Sequence, residues 1–338
     1  MHRTLAARRG VLCRLAAAVL LGALPVVALA ADPLKIGLIL PLTGPFASTG
    51  RQIEAAARLY IAKNGDTVAG RKVELIVKDD TGLAPETTKR IAQELVVQDK
   101  VSVLAGFGLT PLALAAAPIA TEAKVPMIVM AAATGMIPTR SPYIVRTGFS
   151  LPQITGPIAE WAARNKIKRV VTMVTDYGPG LDAEKTFQAT FKAAGIRLVG
   201  TGDVTDDDLL ESMGAPSVGV ITSFHYSAAH DSPENKAYVD GFMKANGGMR
   251  PNFHSVGGYD GMHLIYEAVK KAGPNATGEQ LVEAMKGMKW VSPRGPMSID
   301  PATRQTIQTV YLREVKMVNG KPWNIEFDKV DNVKDPGN

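Results

Sequence analysis

Cysteine is almost absent from this 338-residue chain, with Cys13 as its only example. Cys13 stands ahead of the apolar run LAAAVLLGALPVVALA rather than at its end, so it is not placed as a lipoprotein cleavage cysteine. With residues 1–30 removed no thiol remains, which excludes disulfides, dithiol redox chemistry and cysteine metal ligands. A membrane anchor is the weaker reading of that run, because it is short of the roughly 20 residues a bilayer requires and contains Pro25. G-x-S-x-G, H-E-x-x-H and C-x-x-C do not occur, leaving serine-hydrolase, zincin and dithiol readings without local support. His225 and His230 are five apart, a spacing that does not share a helical face, and they read as loop or surface residues rather than metal ligands. Large net charge is also lacking. The formal +6 includes four arginines and no acid from residues 1–30, so the remaining chain carries 6 − 4 = +2, which gives no argument for a nucleic-acid partner.

What is present begins with an export pattern. Arg3, Arg8, Arg9 and Arg14 form a basic head, the apolar run follows, and Ala28-Leu29-Ala30 precedes Ala31. Residues 1–30 are therefore expected to be a cleavable signal peptide. The adjacent Arg8-Arg9 leaves a twin-arginine route open beside the general one. The remaining 308 residues (338 − 30) suffice for a large core, as two domains.

From Leu34 onward, strand-length apolar runs (LKIGLIL, KVELIVKD, VSVLAG, VPMIVMA) alternate with segments of helical periodicity (QIEAAARLYIAKN, PETTKRIAQELVVQD, TPLALAAAPIATEA). Such alternation predicts a parallel sheet covered on both faces, with ligands beyond the C-terminal strand ends. Those ends carry LPLTGPFASTG, AGFGLTP and MAAATG. The first of these loops loosely matches a P-loop and fails in detail: its glycines are one residue too far apart, Arg51 replaces the lysine, and Gln52 stands where a hydroxyl belongs. It keeps the general anion affinity of a helix N-terminus, with Ser48 or Thr49 as either a cap or a ligand contact. The pattern restarts near residue 148. TIQTVYLREVKMVNGKPWNIEF then adds an alternating strand with an Asn319-Gly320 hairpin turn. No Pro/Gly/Ser-rich linker divides the two halves, so strands crossing between them are expected to join them.

PLTGPFASTG, KDDTG, AGFGLTP, TDYGPGLD, GGYDGMHLIYEA and SPRGPMSIDPATRQ, in this order over nearly the whole chain after residue 30, resemble the branched-chain amino-acid type of periplasmic solute-binding protein. The resemblance implies an α/β, two-lobed, type I periplasmic binding protein fold, each lobe a mainly parallel sheet flanked by helices. Lobe 1 would comprise residues 31–148 and 253–306, and lobe 2 residues 149–252 and 307–338. It further implies a periplasmic monomer without a cofactor. A small ligand, an amino acid or an aromatic carboxylate, would be trapped between the lobes and delivered to ABC permease subunits in the inner membrane. One departure stands out: KAAG runs straight into IRLVGTGDVTDDD where the family pattern inserts about one β-α unit with its connections, roughly 40 to 60 residues. The second lobe is thus expected to be shortened, with 170–175, 196–199 and 219–224 as its only clear core strands before His225.

Family-matched positions give the expected site. Thr110, with Pro111 at the helix start, the backbone of Ala131, Ala132 and Ala133, and Thr134 would hold a carboxylate, with Ser48 beside them. Thr110 and Thr134 can equally serve as plain caps. Asp203 would meet an ammonium, and Tyr177 would cover the ligand or pack at the rim. Asp206, Asp207 and Asp208 read as first-turn residues favoured by a helix dipole. Phe46, Phe107 and Tyr226 are candidates for an apolar wall, and Arg294 for a surface cation or salt-bridge partner. Two alternatives to transport stay open: an exported enzyme on a small carboxylated or phosphorylated substrate, and a sensory receptor domain.

Overall fold

The computed structural model describes residues 32–82, 84–167, 174, 177–190 and 199–337. The expected signal peptide and the expected strand at 170–175, apart from residue 174, lie outside these residues. So does most of the expected strand at 196–199.

The first sheet is assembled from β1 (Leu34–Leu40), β2 (Thr67–Val68), β3 (Arg71–Asp79), β4 (Val103–Gly106), β5 (Met127–Val129) and β6 (Ile144–Arg146). Their order is β2-β3-β1-β4-β5-β6, parallel throughout except for the β2–β3 hairpin. Helices α1 (Ala47–Asn64), α2 (Pro85–Val97) and α3 (Thr110–Ala123) make the crossovers. β1 is apolar on both faces because both are covered: Leu34, Ile36, Leu38, Ile39 and Leu40 are all fully buried. Two glycines bring backbone close to backbone at the strand ends. A Cβ on Gly50 of α1 would stand 2.1 Å from the Pro41 carbonyl oxygen, and one on Gly106 2.3 Å from that of Ile39. Gly106 also has φ +106°, which an L side chain resists. Phe107, one residue on at φ +67°, is fully buried in the lobe-1 core and does not line the cleft.

After β6 the chain crosses to α4 (Leu151–Arg164), α5 (Gly178–Thr190), β7 (Val199–Thr201), α6 (Leu210–Met213), β8 (Ile221–Phe224) and α7 (Pro233–Ala245). It continues through α8 (Phe253–Ala272), α9 (Gly278–Met285), β9 (Lys289–Ser292), β10 (Gly295–Ile299), β11 (Thr306–Val318) and β12 (Lys321–Val333). α4 and α8 start at full capping boxes, Ser150 with Gln153 and Asn252 with Ser255. α8 packs on α1 in the first lobe. β9 and β10, within the 253–306 stretch, are hydrogen-bonded into the second sheet.

The sequence reading expects a mainly parallel second sheet; the described residues form a mixed one. Its order is β7-β8-β11-β10-β9, with β12 also on β11, and β7–β8 is the parallel pair among the described residues. The reason is local. β11 returns from lobe 1, runs antiparallel to β8, and folds back on β12 at Asn319-Gly320, whose φ values of +50° and +78° suit a type I′ turn.

Candidate functional site

The two lobes enclose a cavity of about 350 Å³ at the C-terminal ends of the first-sheet strands. Five helix beginnings reach its wall: Phe46 and Thr49 of α1, Leu109 and Thr110 of α3, Leu151 of α4, Tyr177, Pro179 and Gly180 of α5, and Phe253 and His254 of α8. Ala131, Ala132 and Ala133 contribute the loop after β5, and Thr201, Asp203 and Val204 the loop after β7. Among the described lining residues there is no Lys or Arg, and the positive potential they offer an anion comes from helix N-termini. Phe46, Phe149, Phe253 and Tyr177 supply aromatic surface, with Phe149 and Phe253 edge to face at 5.7 Å.

Six of the eight expected contact residues meet at this cavity: Thr110, Ala131, Ala132, Ala133, Tyr177 and Asp203. Thr134 lies behind the wall, its Oγ1 2.8 Å from that of Thr110, and so fixes the Thr110 rotamer. Ser48 turns away and donates to Asp208 across the cleft at 2.5 Å. Asp203 accepts from the Thr201 hydroxyl and faces the Tyr177 phenol, which burial and this carboxylate hold above its ordinary range.

Several expectations are corrected. Asp206, Asp207 and Asp208 are not first-turn residues of a long helix, because the helix after them, α6, is four residues long. Their side chains serve as acceptors instead: Asp206 for Asn252 Nδ2, Asp207 for Asn324 Nδ2 and the Ala228 amide, Asp208 for Ser48. His225 is no surface residue. It is fully buried and stacked on Phe149 at 4.8 Å, and burial beside Arg294 and Arg313 drives its pKa well down. His230 is half-buried, with Nδ1 2.8 Å from Glu326. Tyr226 is a core residue that donates to Asn235, not a cleft wall. Arg294 is buried and paired with Asp260 at 2.8 Å; it also donates to the Thr147 and Gly148 carbonyls where the chain leaves the first lobe. Among the described residues no cluster of three His, Cys, Asp or Glu is arranged to hold a metal ion.

Thr49, offered by the sequence as a cap or a ligand contact, lines the cavity, whereas Phe149, Leu151, Phe253 and His254 were missed. His254 has its Nε2 3.2 Å from Thr49 Oγ1, and burial lowers its pKa to about 4, so the ring is neutral near pH 7. The available signal was the N-F-H-S capping box at 252–255, which marks a helix start and places His254 in its first turn.

A two-lobed α/β chain with its ligand-sized cavity between the lobes is the architecture of a type I periplasmic binding protein. The chain belongs to the periplasmic binding protein family, whose model matches residues 33–208 and 196–321. These two matched segments meet at 196–208, beside the place where the sequence reading puts the missing β-α unit. A Leu/Ile/Val-binding protein homolog 6 of Brucella abortus is 39% identical over 366 aligned residues, covering 91% of this chain and 94% of the relative. That aligned length exceeds the 338 residues present here, so the relative carries residues this chain does not. Among solved structures, the chain is similar to a solute-binding protein of an ABC transporter from Rhodopseudomonas palustris BisB5 in complex with 3,4-dihydroxybenzoic acid. The two are 49% identical with a TM-score of 0.88, over 90% of this chain and 99% of that one. A counterpart from R. palustris HaA2 in complex with p-hydroxybenzoic acid is 36% identical, TM-score 0.86, over 90% and 98%. A leucine-binding protein from Thermotoga maritima, 22% identical with a TM-score of 0.75 over 88% and 99%, shares the fold.

Proposed function

We propose that this chain is the substrate-binding component of an ABC importer and that its ligand is a small hydroxylated aromatic carboxylate. The supporting observation is the cavity wall: helix N-termini without a basic side chain, aromatic rings on several sides, and one carboxylate, Asp203, at the lobe-2 face. A planar ring fits between Phe46, Phe149 and Phe253. Its carboxylate would be held by Thr110, kept in place by Thr134, and by the Ala131–Ala133 backbone. A ring hydroxyl would then donate to Asp203, under the cover of Tyr177. The similarity at 49% to a protein solved with 3,4-dihydroxybenzoic acid supports the same class.

In this reading residues 1–30 direct export to the periplasm and are removed, and lobe 1 (31–148 with 253–306) closes on lobe 2 (149–252 with 307–338). The closed form engages permease subunits as a monomer, and the ligand leaves chemically unchanged. Calorimetric titration of the purified protein with hydroxybenzoates, plain benzoate and branched-chain amino acids tests the ligand class. The expected order of affinity is hydroxybenzoate, then benzoate, then amino acid. Binding of leucine or valine tighter than that of every aromatic acid would overturn it.

A further inference from the structure

Ser48, on the first turn of α1 in lobe 1, donates to Asp208 Oδ2 in lobe 2 at 2.5 Å. Asn252, at the crossing into α8, donates to Asp206 Oδ2 at 3.0 Å. Each of these two aspartates, two residues apart, keeps a buried Oδ1 with no donor among the described residues. A buried carboxylate oxygen without a donor is costly next to a second acid, and a proton on one of the two carboxyls relieves that cost. We propose that Asp206, Asp208 and Ser48 form a proton-dependent latch across the cleft: closure on the ligand traps a proton between the two acids, and deprotonation loosens the closed form.

The groups facing the pair are few. Burial with the adjacent acids Asp208 and Asp207 holds the Asp206 carboxyl well above the ordinary range. Arg313 of β11 pulls the other way, but its guanidinium is engaged with the Gly202 and Tyr226 carbonyls and Thr222. His254 of α8 faces Asp208 and, with its pKa near 4, is neutral over the range that matters. Arg250 meets the neighbouring Asp207 through its backbone carbonyl at 3.4 Å.

The sign follows from linkage. When the lobes open, Asp206 meets water and its carboxyl relaxes toward the ordinary range. A group whose closed-state pKa is raised favours closure below its open-state value, and that contribution is lost as pH rises through the closed-state value. Ligand is therefore held more tightly in acid, by at most about tenfold per pH unit for one linked proton.

The test takes 3,4-dihydroxybenzoate as probe, which rests on the ligand class proposed above. Its affinity is measured from about pH 5.5 to about pH 7.5, where a carboxylic acid stays ionised, in two buffers of different ionisation enthalpy. Several-fold tighter binding at the acid end, with net proton uptake, is expected. In Asp206→Asn the amide supplies the donor permanently, so the affinity should stay near its acid value and the uptake should vanish. Ser48→Ala should bind several-fold more weakly at every pH. A flat wild-type profile, or an Asp206→Asn variant that keeps the slope, overturns the latch. If the probe gives no heat at any pH the ligand class fails instead, and the latch is decided by carboxyl-carbon NMR on the ligand-free protein. There Asp206 should titrate well above the ordinary range, and an ordinary Asp206 would sink the proposal.

Discussion

Asp203 is the single acid among the described residues at the wall of the cavity, which makes it a discriminator between ligand classes. Asp203→Asn should weaken 3,4-dihydroxybenzoate by about 1.5 to 3 kcal/mol, the value of a hydrogen bond to a charged group, and leave plain benzoate unchanged. Equal losses for both acids, read by calorimetry, would show that Asp203 acts through the fold. His225 carries a second residue-scale consequence. Among the described residues neither ring nitrogen makes a well-aligned hydrogen bond, the Phe253 backbone being a polar neighbour, and burial beside Arg294 and Arg313 holds its pKa well below 6.5. An unfolded chain takes up this proton as pH falls through 6.5 while the folded one resists, so stability should fall on the acid side of that value. His225→Phe, which keeps the stack on Phe149, should melt higher by an amount equivalent to about 1 to 2 kcal/mol and lose less stability between about pH 7 and about pH 5. Asp206, whose pKa is raised, has the opposite sign, so the comparison is between variant and wild type at each pH rather than along one curve. Thr110 and Ala131–Ala133 were legible in the sequence because the strand-end rule needs only local pattern. His254 was not, nor was its meeting with Thr49, because that depends on how α8 docks onto α1, some two hundred residues away in sequence.

Among the elements, the segments that cross between lobes converge on one buried ion pair. Asp260 on α8 accepts from Arg294, Ser292 and Trp290, and Arg294 reaches Thr147, Gly148 and Gln308. One guanidinium thus fastens the start of the first crossing, α8 and β11 together. Arg294→Met should cost about 3 to 5 kcal/mol in denaturant unfolding, because Asp260 would be left charged in the interior. Adding Asp260→Asn should recover part of that loss. A double variant as unstable as the sum of the single ones would mean that the carbonyl contacts, not the pair, matter. Four strands of the first sheet, β1, β3, β4 and β5, were readable because each announces itself by an apolar run between turn signals, whereas the short β2 and β6 were not placed in it. The second was read less well because β11 and β12 belong to it through antiparallel pairing across long sequence separations, which no local period encodes.

At the scale of the whole molecule the two lobes are unequal. Among the described residues β1 pairs with β3 over seven residues, whereas β7 pairs with β8 over three. Fewer buried contacts per strand mean lower free energies of local opening. In native-state hydrogen exchange the amides of β1 and β4 should be the slowest, and those of β7 and β8 faster by orders of magnitude. Ligand should narrow the gap by binding the closed form. Equal protection of both lobes without ligand would mean that the shortened lobe has reached full cooperativity with its partner.

The helix ends around the cavity have one more consequence, and it concerns salt. An anion site made of lysines or arginines is tuned by ionic strength, because mobile side-chain charges attract and are masked by counterions. Here the positive potential is a set of partial charges on backbone amides at the wall of the cleft, fixed in position and unable to titrate. Such a site should hold its monoanion nearly equally well in dilute buffer and in brine. It should also refuse a second negative charge, for which it has no full cation to offer, so a benzene dicarboxylate would be turned away where the monocarboxylate is kept.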